Sequence, residues 1–453
     1  MKHPGTLGIT VVILLTAVCT HAPAATEQDY WPAWRGPAMN GTAARGNPPV
    51  TWSETENIKW KVEIPGKGHS SPVIWGDKIF LQTAIDTDQA PSTEAQPAPP
   101  ATASPSGRGG RGGLSGPAPK TVHKFDLLCL DRNTGKVLWQ RTATEAVPHE
   151  GHQRTGTFAS YSPVTDGKYV WAGFGSRGLY CFDLDGNLQW SKPLPTMRTL
   201  MSFGEGSSPA LAGEAVIVVS DHEGDSAIFA FNKVTGAELW RKERDERTSW
   251  ATPAITEVDG RMQAIISATN LIRSYDVKSG EIIWQCKGQT RNVIPTPVFG
   301  FGMVFCTSGY QGSSLQAIKL AGSTGDLSGS DAIAWQVNRG TPYVPSPLLY
   351  GNRIYVFAVY TQRLSCYEAR TGQPRFTDQT LEGINQVYSS PVGVADRVYC
   401  PGRNGVTVVL KNADTFEVLA TNTLDDGFDA SPALIGDEMY LRGNRFLYCI
   451  AKR

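Results

Sequence analysis

A repeat with a period in the low forties runs through this sequence and limits what the chain can fold into. Its clearest mark is a serine or threonine followed by proline, and it occurs as Ser71-Pro72, Ser162-Pro163, Ser208-Pro209, Thr252-Pro253, Thr296-Pro297, Ser346-Pro347, Ser390-Pro391 and Ser431-Pro432. From the second copy onward, successive prolines lie 46, 44, 44, 50, 44 and 41 residues apart. This period is typical of a four-stranded propeller blade. We expect the proline to open the innermost strand, where no ladder donor is needed and small side chains fit.

A second mark follows several copies of the first, and Asp131-Arg132-Asn133-Thr134-Gly135 with Trp139 is its clearest copy. The Thr-Gly pair predicts a turn between the third and fourth strands, because glycine adopts a positive φ without steric cost. The tryptophan predicts a wedge between adjacent blades. Tryptophan-type positions number eight, matching the eight proline marks: Trp60, Trp139, Trp190, Trp240, Trp284, Trp335, Phe376 and Leu419.

The two ends of the repeat array complete each other. Residues 57–62 resemble a tryptophan strand with nothing before it, and the last repeat, from Ser431 to Cys449, stops before its own tryptophan strand. Closure of a ring in this way removes an open sheet edge. The sequence therefore predicts an all-β fold: an eight-bladed β-propeller of four-stranded antiparallel blades over residues 58–453, closed by the N-terminal strand.

Residues 1–25 have the parts of a secretory signal peptide. Lys2 is the positive start, residues 7–18 form the apolar run, and Ala22-Pro23-Ala24 offers a cleavage site. The apolar run is too short to span a bilayer. Cys19 follows the branched Val18, where a lipid-anchor signal needs a small residue. We expect a periplasmic or extracellular protein with no transmembrane segment and no lipid anchor.

Two further segments lie outside the repeat. Residues 26–57 are an irregular N-terminal extension, and residues 86–120 are rich in proline, alanine and glycine. That composition cannot bury a core, so it predicts a disordered loop between the second and third strands of the first blade.

Charge and cysteine content narrow the classes of function. Lysine plus arginine and aspartate plus glutamate number 42 each, so no global field favours nucleic acid or an anionic membrane. Four cysteines, Cys129, Cys181, Cys366 and Cys449, occupy the same place in their repeats. This register predicts a small buried position rather than a disulfide framework.

The repeat resembles the PQQ-like (pyrroloquinoline quinone) β-propeller family. Residues 31–37 and 68–72 are similar to BamB-like exported members. The resemblance implies either a scaffold that binds only protein or a dehydrogenase that binds PQQ with calcium. The dehydrogenases carry adjacent cysteines, and this sequence has none; it also lacks a haem-attachment Cys-x-x-Cys-His motif. Our first hypothesis is a non-catalytic, exported protein-interaction scaffold without a cofactor. The alternatives are a PQQ-dependent quinoprotein oxidoreductase and a polysaccharide-binding propeller.

The candidate binding site is the mouth of the central channel on the loop face. Topology places nine side chains there: His69, Trp250, Arg291, Asn292, Tyr310, Tyr343, Tyr388, Arg403 and Asp429. Rigid aromatic rings and forked arginine donors suit a peptide or sugar ligand.

Two histidine-bearing loops on the same face are weaker candidates for metal ligands. They contribute His149, His152, His222 and Asp225. Solvated polar loops explain these residues more simply, so we predict no metal. We also expect the mixed charge run at residues 243–247 to be a solvent-exposed loop.

Overall fold

The computed structural model describes Met1, residues 30–91 and residues 114–452. The predicted signal peptide, apart from Met1, and most of the predicted disordered insertion lie outside these residues. The described chain forms 33 strands in eight sheets, with 3₁₀ turns at Gly175–Arg177 and Leu200–Ser202. Within it, no helix is long and apolar enough to cross a membrane.

Each sheet is one blade, numbered along the chain. Blade 1 contains β2 (Val73–Trp75), β3 (Lys78–Asp86), β4 (His123–Asp131) and β5 (Val137–Ala146), and blade 2 contains β6 (Val164–Thr165), β7 (Tyr169–Gly173), β8 (Leu179–Asp183) and β9 (Leu188–Lys192). Blade 3 contains β10 (Ala210–Ala212), β11 (Ala215–Ser220), β12 (Ala227–Asn232) and β13 (Glu238–Glu243). Blade 4 contains β14 (Ala254–Val258), β15 (Arg261–Ile266), β16 (Ile272–Asp276) and β17 (Ile282–Cys286). Blades 5 to 7 contain β18 (Val298–Gly300), β19 (Met303–Ser308), β20 (Ser314–Lys319), β22 (Ile333–Val337); β23 (Leu348–Tyr350), β24 (Arg353–Phe357), β25 (Arg363–Glu368), β26 (Pro374–Thr380); and β27 (Val392–Val394), β28 (Arg397–Pro401), β29 (Val406–Lys411), β30 (Val418–Thr423).

Blade 8 confirms the predicted ring closure. It combines β31 (Ala433–Ile435), β32 (Glu438–Arg442) and β33 (Phe446–Ile450) with the first strand of the chain, β1 (Ile58–Glu63). β1 runs antiparallel to β33, with Trp60 opposite Cys449. Blade 4 differs from the expected four strands because β21 (Gly325–Asp326), from the lengthened turn of blade 5, pairs in parallel with the outer edge of β17.

The tryptophan and the Thr-Gly turn of neighbouring blades form one contact. The Trp190 indole N–H donates to the carbonyl of Lys233 at 3.1 Å, and the ring covers Gly236. A Cβ atom at Gly236 would lie 2.7 Å from Trp190 Cδ2, and the residue has a φ of 68°. Glycine is therefore required twice, by backbone conformation and by the neighbouring indole. Trp60, Trp139, Trp240 and Trp335 make the same type of contact with the next blade.

The serine or threonine before each proline belongs to a closed hydrogen-bonded ring, which we call the hydroxyl ring. Its members are Ser71, Ser162, Ser208, Thr252, Thr296, Ser346, Ser390 and Ser431. The backbone N–H of each member donates to the hydroxyl of the member in the next blade, at 2.9–3.2 Å. The last bond joins Ser431 to Ser71 and so connects blade 8 to blade 1. Each strand after it begins directly behind the proline, as predicted.

The N-terminal extension closes the central channel from the face opposite the loops. Residues 31–37, here called the plug, contact the far ends of inner strands: Trp31 pairs with Ile74, and Thr165 N–H donates to Pro32 O. The buried Arg35 guanidinium donates to the carbonyls of Pro347 and Pro391, at 2.7 and 2.9 Å. It thereby satisfies carbonyls that inner strands would otherwise leave unpaired at the axis. Sequence analysis did not predict this role.

The charge run at residues 243–247 is only partly the solvent-exposed loop that we expected: Glu243, Asp245 and Arg247 are exposed. Arg244 and Glu246 are buried. Arg244 makes a bidentate ion pair with Asp221, at 2.7 and 2.9 Å, and donates to the Tyr275 hydroxyl. The prediction was wrong for Arg244 because Asp221, the partner that compensates this charge, is distant in sequence.

The repeated cysteine position is buried, as predicted. Cys129, Cys181 and Cys449 lie opposite Trp139, Trp190 and Trp60, and Cys366 lies opposite Phe376. All the cysteines in the described residues are free and buried. Burial raises the pKa of these thiols, with Cys129 at about 12, so they serve as small apolar side chains beneath the large aromatic rings.

Candidate functional site

A cavity of about 600 Å³, which we call the cup, opens on the loop face. Its floor is made by Trp34 of the plug and by six members of the hydroxyl ring. The Trp34 indole N–H donates to Ser431 Oγ at 3.3 Å, which fixes the plug against the ring. Because the plug blocks the channel, a ligand can enter the cup only from the loop face.

In every blade, the residue two positions before the hydroxyl-ring member contributes a side chain or backbone to the cup wall. We call these eight residues the recognition ring: His69, Ser160, Gly206, Trp250, Ile294, Val344, Tyr388 and Asp429. No residue type occurs twice in it. Sequence analysis predicted four of its members, and it missed the four that are small or aliphatic.

One side of the cup is a tyrosine wall, formed by Tyr310, Tyr343, Tyr360 and Tyr388. The Tyr310 and Tyr343 rings stack with centroids 4.9 Å apart, and Tyr360 meets Tyr343 edge-on at 5.3 Å. The Arg403 guanidinium lies over the Tyr388 ring at 4.1 Å. Such a wall offers large, rigid contact area at a small entropic cost.

The ionic groups beside the tyrosine wall compensate each other. Arg403 makes two hydrogen bonds to Asp429, at 2.6 and 3.2 Å, and a third to Gln386 Oε1 at 2.9 Å. His69 Nε2 lies 3.5 Å from Asp429 Oδ2. Burial lowers the pKa of His69 to about 4 despite this carboxylate, with further lowering by Arg442 and Arg403. His69 is therefore neutral at neutral pH, and the charge of Asp429 is balanced by Arg403.

An acidic side pocket opens from the opposite side of the cup, and the two share Glu205. Glu205 accepts hydrogen bonds from Ser176 N–H and Oγ–H, at 2.7 and 2.5 Å. Glu150 lies deeper, and Thr199 donates to both of its oxygens. Burial raises the pKa of Glu150 to about 7; the Thr199 hydrogen bonds oppose this shift and the Glu205 charge adds to it.

The side pocket also contains the one group of potential metal ligands found among the described residues: His149, Glu150 and Glu205. Arg177 donates to His149 Nδ1 at 2.9 Å, and His149 Nε2 lies 2.6 Å from Met197 O. Both imidazole nitrogens are thus occupied in the neutral ring, which leaves no lone pair for a metal ion.

The other predicted residues lie around the cup rather than in its wall. Asn292 is buried, whereas Arg291 is exposed. His152 packs edge-on against Phe158. His222 Nδ1 accepts from Arg198 N–H and Gly224 N–H, while Asp225 is exposed. The two histidine loops therefore contact a shared segment, residues 197–199, without assembling a common ligand set.

Sequence analysis did not predict several of the residues that line the cup. Trp34 belongs to a segment without the repeat, Phe203 follows a 3₁₀ turn, and Leu114 lies at the end of the insertion. Glu205 precedes the recognition-ring residue of blade 3 by one position. Counting back from every Ser/Thr-Pro pair would have placed Glu205 at the channel mouth.

The fold and the site together define an eight-bladed PQQ-like propeller with a blind, aromatic-lined cup. A family model described as outer membrane protein assembly factor BamB matches residues 123–377 and 248–452. The two matches cover most of the chain, and the chain belongs to this family. A search of curated proteins gave no match.

Solved structures show the same fold at low sequence identity. The quinohemoprotein alcohol dehydrogenase from Comamonas testosteroni is 10% identical, covers 95% of this chain and 82% of its own, and has a TM-score of 0.61. The computationally designed Ika8 protein is 13% identical over 75% of this chain and 95% of its own, with a TM-score of 0.51. BamB from Moraxella catarrhalis is 14% identical over 83% of this chain and 98% of its own, with a TM-score of 0.49. The similarity to the first two structures shows the fold alone.

The cup does not fit the cofactor that the family resemblance implies. PQQ is a flat tricarboxylate, and the described residues that line the cup include no lysine or arginine. Arg403, behind the wall, already pairs with Asp429. Calcium requires six to eight oxygen ligands, whereas the only candidate cluster in the described residues is engaged by Arg177, Ser176 and Thr199. A buried anion in the cup would lack a counter-ion.

Proposed function

We propose that this chain is an exported, non-catalytic scaffold that binds an extended segment of a protein partner in the cup. The observation that carries the proposal is the composition of the cup: aromatic faces and hydroxyls around a blind cavity whose carboxylates, Asp429 and Glu205, accept hydrogen bonds from within the protein. Rigid aromatic anchors in a desolvated pocket are typical of protein recognition.

Export and the kind of partner follow from two further arguments. The N-terminal sequence has the parts of a secretory signal. The family description, outer membrane protein assembly factor, associates related propellers with protein assembly at a membrane. A partner in the cell envelope is consistent with both.

Site-specific photo-crosslinking in cells tests the proposal. A photoreactive phenylalanine replaces Tyr360, which is 47% exposed in the tyrosine wall. The matched control replaces Phe301, which is 37% exposed in the β18–β19 turn on the opposite face. We expect discrete protein adducts from position 360, and we expect that none of these adducts also forms from position 301. Equal adducts from both positions, or none from position 360, would contradict a binding role for the cup.

A calorimetric titration with PQQ, with and without calcium, separates the scaffold from the oxidoreductase. We expect no saturable heat and no change in melting temperature, because no lysine or arginine among the described lining residues can pair with the quinone carboxylates. One-site binding that is lost in His69→Ala would overturn the scaffold assignment.

A further inference from the structure

The hydroxyl ring supplies hydrogen-bond donors at the floor of the cup. Each hydroxyl-ring oxygen already accepts a backbone N–H, and none of the described residues accepts a hydrogen bond from the O–H groups of this ring. The Trp34 and Trp250 indole N–H groups donate to Ser431 Oγ and Gly204 O. A ligand that presents hydrogen-bond acceptors matches these donors.

The charge distribution excludes a charged ligand group at the tyrosine wall. Asp429 is balanced by Arg403, and burial together with Arg442 and Arg403 keeps His69 neutral. At this wall, a lysine or glutamate side chain would lose its hydration without gaining a free counter-ion. The part of the ligand that contacts the tyrosine wall is therefore uncharged.

The chain itself holds an extended, proline-containing segment at the cup mouth. Arg154 N–H donates to Leu114 O and Gly116 N–H donates to His152 O, each at 3.0 Å, and Pro117 and Pro119 follow directly. Leu114 also lines the cup. Residues 152–154 are thus able to pair with an extended backbone at the entrance.

From these observations we propose that the cup recognises an uncharged, proline-rich segment of a partner protein, bound as a polyproline II helix. Proline has a carbonyl acceptor and no N–H donor, which matches the available O–H groups. The polyproline II helix is extended and lacks internal hydrogen bonds, so its carbonyls are free to accept. Its ridges pack into aromatic grooves, and its low conformational entropy reduces the cost of binding. This inference rests on the proposed function and specifies the segment that the cup binds.

Titration of the mature protein with acetylated and amidated peptides of equal length tests this inference. The probes are oligoproline, a glycine-serine repeat, a proline-lysine repeat and a proline-glutamate repeat, followed by calorimetry. We expect oligoproline to bind at least about tenfold more tightly than the other three peptides. Equal binding of the glycine-serine repeat would overturn the proline assignment. Equal or tighter binding of either charged repeat would overturn the requirement for an uncharged segment.

Two variants locate the binding. Tyr360→Ala removes an exposed ring of the wall, and we expect it to weaken oligoproline binding about tenfold or more. Phe301→Ala removes an exposed ring on the opposite face, beneath the Arg370 guanidinium, and binding should not change. Equal weakening by both variants would show that the peptide does not bind in the cup.

Maltoheptaose is the final probe, because sugars also stack on aromatic rings. Saturable maltoheptaose binding that is lost in Tyr360→Ala, without peptide binding, would overturn both this inference and the proposed function. If no peptide binds while position 360 still yields protein adducts in cells, the proline assignment fails and the scaffold role stands.

Discussion

The hydroxyl ring and the recognition ring come from the same eight short segments, two residues apart, and differ in every respect that matters for function. The hydroxyl ring contains only serine and threonine, and one hydrogen bond is repeated around the axis. The recognition ring contains eight different residue types. A contact that closes the ring must be identical in each blade, whereas a wall that recognises an asymmetric ligand must not be. The repeat therefore encodes the fold, and the departures from the repeat encode the site.

The first prediction concerns the contact between blades and carries the largest expected effect. Gly236→Ala places a Cβ 2.7 Å from the Trp190 ring at a residue with a φ of 68°. Overpacking and the left-handed conformation together should lower the free energy of unfolding by about 2–4 kcal/mol. Chemical denaturation followed by tryptophan fluorescence measures it.

Gly260→Ala is the matched control for this substitution. Gly260 has a φ of 74°, in the β14–β15 turn, and a Cβ there meets no atom within 4 Å. The expected loss is about 1 kcal/mol, from backbone conformation alone. Equal losses at the two glycines would mean that the indole contact contributes nothing. Neither variant should alter ligand binding in the cup.

The second prediction removes one hydrogen bond from the hydroxyl ring. Thr252→Val keeps nearly the same shape but leaves the buried Ser208 N–H, now 3.2 Å from Thr252 Oγ1, without an acceptor. The free energy of unfolding should fall by about 1–3 kcal/mol, because an unsatisfied buried donor costs its full desolvation. Thr256→Val on β14, where the hydroxyl makes no hydrogen bond within the described chain, serves as the control. A similar loss at both positions would argue against the ring as a stabilising element.

The repeat made the ring predictable, and the exceptions to the repeat explain what was missed. The Ser/Thr-Pro and Thr-Gly marks gave the blade number, the strand starts and the closure by β1, since each mark recurs wherever its contact recurs. Trp34 and Arg35 form the plug through contacts with residues hundreds of positions away, which no local pattern records. Trp284 shows the same limit: the lengthened turn of blade 5 supplies β21, and the buried Trp284 Nε1 has no hydrogen-bond partner among the described residues.

The candidate site was predictable in position but only partly in composition. Topology placed His69, Trp250, Tyr388 and Asp429 at the mouth because they precede inner strands by fixed steps. Arg403 neutralises the charge of the Asp429 carboxylate. This ion pair depends on side-chain geometry across adjacent loops, which the sequence pattern does not record. The burial of Arg244 against Asp221 was missed for the same reason.

The third prediction concerns Glu150 in the acidic side pocket. Burial raises the pKa of Glu150 from its usual 4.5 to about 7. The folded state therefore binds this proton more tightly than the unfolded state, so the stabilisation is complete below pH 4.5 and is lost as pH rises through about 7. Glu150→Gln resembles the protonated acid and does not titrate. The stability of wild type relative to Glu150→Gln should fall between about pH 5 and pH 8.

Denaturation at a series of pH values measures this difference, and Glu257→Gln, at an exposed position on β14, is the control. His69, with its pKa lowered to about 4, contributes the opposite slope at acidic pH, since stability is lost as pH falls from about 6.5. That slope is common to wild type and both variants and cancels in the comparison. A pH-independent difference for Glu150→Gln would show that Glu150 titrates as an ordinary carboxyl group.

The fourth prediction concerns a valine-to-threonine substitution in the recognition ring, Val344→Thr, which is the opposite exchange to Thr252→Val in the hydroxyl ring. Val344 belongs to the recognition ring and is half-buried against the cup, so the hydroxyl of Val344→Thr would point toward solvent in the cavity. The free energy of unfolding should change by less than about 0.5 kcal/mol, because no buried partner is lost or left unsatisfied. Ligand affinity should change instead, since the substitution replaces an apolar contact next to Tyr343 with a polar one. If Val344→Thr lowered the free energy of unfolding as much as Thr252→Val, the recognition ring would also stabilise the fold. The two rings would then not have separate roles.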